Sequence, residues 1–336
     1  MSRPVTSEVL PERIEEHRAV QAWRQIQQDR FEPKNIQILK LKRKSSVYRL
    51  TSDAVNGSAV VAKRCRATTA AVERLVYEQL ARALVPALRC YGLVPEPEGE
   101  FCWLFLDDAG GHAYSPDSEE HRALAGRWLG EVHRTPFPGE LKALLPDRGP
   151  DHYGQRLHST RTALLERVGN PALSAEETAL LRTVASQCDV IEEHWGEQET
   201  FCERWPRTLV HGDFVIKNLR IQPTPPGPAL LVFDWEMAGW GLPASDLAQF
   251  VGNTVTPDLE VYCSVLRQNF PHLDVQEIQR LANYGTVLRV VDKIYWETLT
   301  MVGDSYEFLV NPLLSVKKYE PQLGAGLRAL DWSRHD

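Results

Sequence analysis

The sequence predicts an α+β protein in two parts, a small antiparallel β-sheet first and a mainly helical region second. Three observations predict it. Short strand-like runs separated by polar or Asn-Gly turns begin at Ile36 and recur up to residue 106. From about His121 the apolar spacing becomes helical over long stretches. Between the two stand Asp107, Asp108 and the pair Gly110-Gly111, a natural joint. A chain of 336 residues is long enough for two lobes, which we divide as 1–106 and 107–336.

Each element has its own warrant. Ile14, Val20, Trp23 and Ile26 fall near helical spacing among polar residues and predict a charged helix from about Pro11 to Gln28. IQILKL from Ile36, VYRL from Val47 and SAVVAK from Ser58 read as strands. A helix over about Ala70–Ala83 follows, then a strand, FCWLFL, from Phe101 to Asp107. HRALAGRWLGEVHR near His121, SAEETALLRTVASQCDVIEEHW from Ser174 and long periodic stretches after Ser245 predict the helical lobe.

Composition narrows the function classes. The hydrophobic share of 43% and charged share of 25% are those of an ordinary globular protein. The N-terminal stretch lacks the apolar core of a signal peptide, and no run approaches the roughly 18 apolar residues of a spanning helix. A soluble, cytosolic protein without a membrane partner is expected. Six scattered cysteines suggest free thiols and not a zinc or disulfide framework. A net charge of -7 argues against a general nucleic-acid binder. That charge is uneven, with a balance of +5 over residues 1–106 and -12 over residues 107–336.

The stretch LVHGDFVIKNLRI, residues 209–221, sets a histidine, an aspartate and an asparagine between apolar runs. As turn chemistry this is unremarkable for Gly212 and Asp213 alone. The continuation changes the reading: a strand pattern LRIQ, a loop PTPPGP and a second strand pattern ALLVFD ending in Asp234. Paired antiparallel, the two strands bring Asn218 beside Asp234, with Asp213 a short turn away. An amide oxygen and a carboxylate are hard ligands of the kind that hold Mg²⁺. A separate aspartate, Asp213, is then free to orient a hydroxyl and accept its proton. The layout is that of a phosphoryl-transfer site.

HGDFVIKN (His211 to Asn218), FDWEMAGWGLPASDLAQF (Phe233 to Phe250) and SAVVAKR resemble the aminoglycoside phosphotransferase and choline kinase-like group, over about residues 36–300. These are small-molecule kinases with the two-lobed protein-kinase-like fold. The resemblance implies Asp213 as catalytic aspartate and Asn218 and Asp234 as magnesium ligands. It implies that His211 braces the loop and that Asp246 starts a helix and ties the loop down. Glu236 is left between a second metal, the substrate and solvent. Lys63 matches the lysine that reaches the nucleotide phosphates, with Glu73 its favoured partner and Glu78 the alternative. The first hairpin, LKRKSSVYRL, departs from the glycine-rich pattern; Ser45 and Ser46 stand where phosphates are covered, and Lys42, Arg43 and Lys44 attract nucleotide or form a charged edge. WLFLDD, Trp103 to Asp108 and including Phe105 and Asp107, resembles the hinge that holds adenine by its backbone.

The substrate side leaves less trace. Asp292 and Trp296 share one helix face, as do Arg289 and Lys293. A carboxylate and an aromatic ring suit a cationic amine, so Glu236, Trp240, Asp292, Trp296 and Glu297 are the candidate acceptor residues, and a cationic acceptor is expected. The function implied is an ATP-dependent kinase, with GTP left open, that phosphorylates a small-molecule hydroxyl directly. Two alternatives stay open: a protein Ser/Thr kinase, for which no activation segment is visible between Asp234 and Asp246, and a catalytically silent nucleotide-binding protein. Oligomeric state is not legible.

Overall fold

The computed structural model describes residues 13–26, 32–42, 45–52, 59–225, 227–303 and 305–332. Contacts divide the chain into two compact units. The first takes Met1–Tyr114, Pro138–Leu144 and Asn218–Ala238; the second takes Ser115–Phe137, Leu145–Lys217 and Gly239–Asp336. This division differs from a single cut after residue 106. It assigns the hairpin carrying Asn218 and Asp234 to the first unit.

In the first unit a short 3₁₀ turn, Ile14–Glu16, precedes helix α1, Arg18–Ile26. The expected single helix is interrupted because His17 is extended, and its Nδ1 accepts the Ala19 N–H at 3.1 Å as a cap. Residues 11, 12, 27 and 28 of that expectation lie outside the described residues, as do Arg43, Lys44 and the Asn56-Gly57 turn. Strands β1 (Asn35–Lys42), β2 (Ser45–Thr51), β3 (Ala59–Arg66), β4 (Cys90–Pro95) and β5 (Phe101–Asp107) form an antiparallel sheet in the order β1-β2-β3-β5-β4. Edge strand β4 has no counterpart among the sequence-predicted segments, because CYGLVP contains Gly92 and Pro95 and shows no alternation. Helix α2, Ala67–Arg82, links β3 to β4.

The alternation of β3 decides the function of its two faces. Val60 and Ala62 join Tyr48, Leu50, Trp103 and Phe105 in a core closed by Val20 and Trp23 of α1. Burying each large side chain there stabilises the unit by roughly 1.5–3 kcal/mol. The opposite face presents Lys63 and Cys65, and Cys65 packs with Ala70 of α2. Lys63 is thereby buried, which demands a partner of opposite charge.

Strands Leu219–Gln222 and Ala229–Val232 pair antiparallel, with Leu219 opposite Val232, and His112–Ala113 adds a third strand. The Phe233 N–H donates to the Asn218 carbonyl at 3.0 Å, so the residues flanking Asn218 and Asp234 are tied together. This is the hairpin the sequence predicts.

The second unit is built from helices, among them Glu119–Arg134, Pro150–Arg167, Ala175–Glu193, Leu259–Leu266, Val275–Thr298 and Tyr306–Ala329. Ser174 and Glu177 form a reciprocal cap that starts the third of these. A small sheet sets Gly239–Gly241 parallel to Asp147–Arg148 and antiparallel to Thr208–Val210. The long helix Val275–Thr298 buries residues along most of its length and approaches the 3₁₀ segment Pro243–Leu247 at Gly285, where a Cβ would strike the Ala244 carbonyl. That contact fixes the segment carrying Asp246. No helix among the described residues is long and apolar enough to cross a membrane.

Candidate functional site

In the first unit the buried lysine finds its partners. The Lys63 ammonium lies 2.6 Å from Glu73 Oε1, hydrogen-bonds the Asp234 carboxylate and stands 4.0 Å from Glu236 Oε2. Burial alone would drive the lysine pKa down. The carboxylates of Glu73, Asp234 and Glu236 outweigh it and hold Lys63 charged, well above its usual range. Burial pushes fully enclosed Glu73 up to about 7 against the pull of Lys63. Glu78, the alternative partner, instead pairs with Arg74 at 2.6 Å on the exposed side of α2. The geometry thus selects Glu73.

Asp234 adopts a left-handed backbone conformation, φ 68° and ψ 58°, at the start of the 3₁₀ turn Trp235–Met237. A non-glycine residue there is strained, and such strain gathers at functional sites. Asn218 is buried. The donor set fits Mg²⁺, which needs only one or two protein carboxylates with an amide oxygen beside them. No group of three or more His, Cys, Asp or Glu suited to a metal occurs among the described residues, so a site of the kind zinc prefers is absent there.

In the second unit the segment after strand Thr208–Val210 is held from several directions. Asp246 is 2% exposed, and its carboxylate accepts the His211 N–H at 2.6 Å and the Gly212 N–H at 3.0 Å. His211 Nδ1 accepts the Asp213 N–H at 3.2 Å, an arrangement that braces the backbone. Gly212 takes φ 72°, the left-handed turn that glycine adopts without steric cost. Asp246 lies inside the 3₁₀ segment Pro243–Leu247 and does not start a helix. Pro243 begins that segment earlier than the Ser-Asp pair predicts.

The partner of Asp213 is the residue that sequence reasoning missed. Arg289, from the long helix, donates to the Gly212 carbonyl at 2.6 Å and to the Asp213 carboxylate. Lys217 approaches the other carboxylate oxygen at 3.4 Å. Burial works to raise the Asp213 pKa, but Arg289 and Lys217 prevail and hold it at about 2. The missed signal lay in VLRVVDK: an arginine between Leu288 and Val290, inside an apolar run, is set to be buried, and a buried guanidinium needs a carboxylate.

Other candidates are placed differently. Ser45 is buried with an unpartnered hydroxyl among the described residues, and Ser46 is half-buried opposite Arg64. Phe105 is wholly buried against Trp23, with ladder neighbours on both sides. The Asp107 carboxylate accepts the Tyr91 hydroxyl. Trp240 is half-buried between Leu209 and Asp147 in the small sheet. Asp292 is buried, Trp296 is exposed, and Glu297 is half-buried with its pKa raised by burial.

Comparison with known proteins places this geometry in context. No curated protein matches the chain. Solved structures do. An ethanolamine kinase of Plasmodium vivax shares 15% identity with a TM-score of 0.58, covering 87% of this chain and 84% of that one. The GDP and kanamycin complex of APH(2")-IIIa shares 13% identity with a TM-score of 0.60, covering 90% and 97%. A microcompartment-associated aminopropanol kinase shares 15% identity with a TM-score of 0.58, covering 90% and 94%. At such identities the likeness establishes the protein-kinase-like fold. The sequence profile of the phosphotransferase enzyme family matches residues 35–275. The chain therefore belongs to the phosphotransferase enzyme family.

Proposed function

We propose that the protein is a small-molecule kinase that moves the γ-phosphoryl group of ATP or GTP to a hydroxyl by direct in-line transfer. The observation that carries this reading is the buried Lys63 held between Glu73 and Asp234. A lysine kept charged on β3 is suited to nucleotide phosphates. Asn218 and Asp234 would hold Mg²⁺, which supplies charge neutralisation at the phosphoryl oxygens. Asp213 orients the acceptor hydroxyl. A carboxylate held at about 2 is a weak base, so it receives the proton late, as a loose phosphoryl-transfer transition state permits.

Residues 235–247 also bear on the acceptor. They are spent on a 3₁₀ turn, a strand of the small sheet and a second 3₁₀ turn, which favours a small acceptor over a protein substrate.

Asp234→Asn tests the metal assignment. Loss of a charged ligand should raise the magnesium concentration needed for half-maximal ADP release and lower turnover as well. An unchanged magnesium requirement would remove Asp234 from the metal.

A further inference from the structure

Asp213 stands among cations. Within the second unit Arg289 and Lys217 reach its carboxylate, and Lys293 follows Arg289 by one helical turn. Asp292 is approached by Arg156 at 3.8 Å. Arg148 meets the His152 ring at 3.2 Å and lies in the field of Asp292 and Arg156. Five cationic side chains thus gather about two carboxylates.

The titration of the neighbours reports the excess. Burial lifts Asp292 above the usual carboxylate range in spite of Arg289, Arg156 and Arg148. Lys293 is pushed down to about 8 by burial and then by Arg289. His152 is pushed down to about 4 by burial and then by Arg148 and Arg156.

Arg156 shows where the excess points. Its side chain is only 17% exposed, and its guanidinium lies 3.8 Å from the Tyr295 ring centroid and 5.2 Å from that of Trp296. Among the described residues no acceptor lies within hydrogen-bond distance of it, and Asp292 at 3.8 Å is its one ionic partner. No Arg156 nitrogen is both buried and unpartnered among the described residues, so its N–H groups reach solvent, where an anion can meet them. Stacking on a ring leaves the planar fork of N–H groups at its edge, the shape that binds a carboxylate or phosphate by two parallel bonds.

We propose that the acceptor carries an anionic group, a carboxylate or a phosphate, bound by Arg156 while its hydroxyl is held at Asp213. This rests on the kinase reading above and specifies its substrate class. It reverses the cationic acceptor expected from the sequence, because the chain's own Arg156 already occupies the Tyr295 and Trp296 rings and the flank of Asp292. Arg148 and Lys293 supply the surrounding positive field that draws an anion in.

The test uses the full chain and two series matched in skeleton and differing in charge. One is glucosamine, glucose, glucuronate and a hexose phosphate; the other is aminopropanediol, glycerol, glycerate and glycerol phosphate. Coupled ADP release should give the highest kcat/KM for an anionic member and the lowest for the amine, and the carboxylate and phosphate arms separate the two sources of charge. Arg156→Gln should raise KM for that anion by roughly ten- to a hundredfold, with little change for its neutral analogue. Arg156→Lys should restore part of the loss. Preference for the amine, or an equal KM shift for all members, overturns the anionic proposal while leaving a working kinase. If no compound is phosphorylated, isothermal titration of the same series decides: tighter binding of the anions supports the proposal, whereas equal, amine-preferring or absent binding overturns it. Slow magnesium-dependent nucleotide hydrolysis by the wild type without acceptor reports on the kinase reading separately.

Discussion

Asp213→Ala is expected to lower turnover by roughly 10² to 10⁴-fold, the usual contribution of a positioned proton acceptor, while nucleotide affinity is largely retained. The reason is geometric. Asp213 belongs to a loop of the second unit whose backbone is fixed by Asp246, His211 and Arg289, whereas Lys63 and Asp234 of the first unit carry the proposed nucleotide contacts. Removing the carboxylate also leaves buried Arg289 with the Gly212 carbonyl as its one hydrogen-bond partner among the described residues, so Asp213→Asn, which keeps an oxygen there, is the cleaner comparison. Steady-state kinetics with nucleotide and acceptor varied separately distinguish the effects. Wild-type turnover in both variants would refute the role.

The pH dependence follows from the same pair. The folded pKa of Asp213, about 2, lies below its ordinary 3.8. Its contribution to stability is therefore complete above the ordinary value and is lost as pH falls through about 2. Asp213 is ionised throughout the neutral range, so an acid limb in turnover near neutrality must come from another group.

Asp246→Ala should have the largest effect on stability, about 3–5 kcal/mol in denaturant unfolding, with turnover falling in the same variant. The buried carboxylate accepts the His211 and Gly212 N–H groups and faces His133 Nε2 at 3.7 Å. Burial raises its pKa, but His133 and His211 outweigh this and hold it below the usual range. Without the carboxylate, two backbone donors are left buried and unmet, and alanine supplies no substitute. A loss below about 1 kcal/mol would mean that the loop is held chiefly by Arg289 and the His211 ring.

What was legible in the sequence was local. The hairpin after Asn218 could be read because strand patterns and a Pro/Gly-rich loop dictate antiparallel pairing, and that pairing places Asp234 near Asn218. Lys63 was legible only through its match to the family's lysine, because a lysine after VVA does not by itself show that its face of β3 is covered. Contacts distant in sequence were not. Arg289 lies 76 residues beyond Asp213, and only the burial of its helix betrays that it needs a carboxylate. Arg156 comes from another helix again, and its place on Tyr295 and Trp296 turns an apparent cation box into one already filled. At Phe105 the sequence says less for a different reason: backbone recognition leaves no mark on side chains, so a core phenylalanine and a hinge residue look alike.

Product analysis tests the central claim most directly. With magnesium, ATP and the best acceptor of the matched series, phosphorus NMR should show one new phosphomonoester on the acceptor for each ADP formed, and no phosphate attached to the protein. ADP appearing without any phosphorylated acceptor, or a phosphoprotein that accumulates during turnover, would contradict direct transfer to a small-molecule hydroxyl.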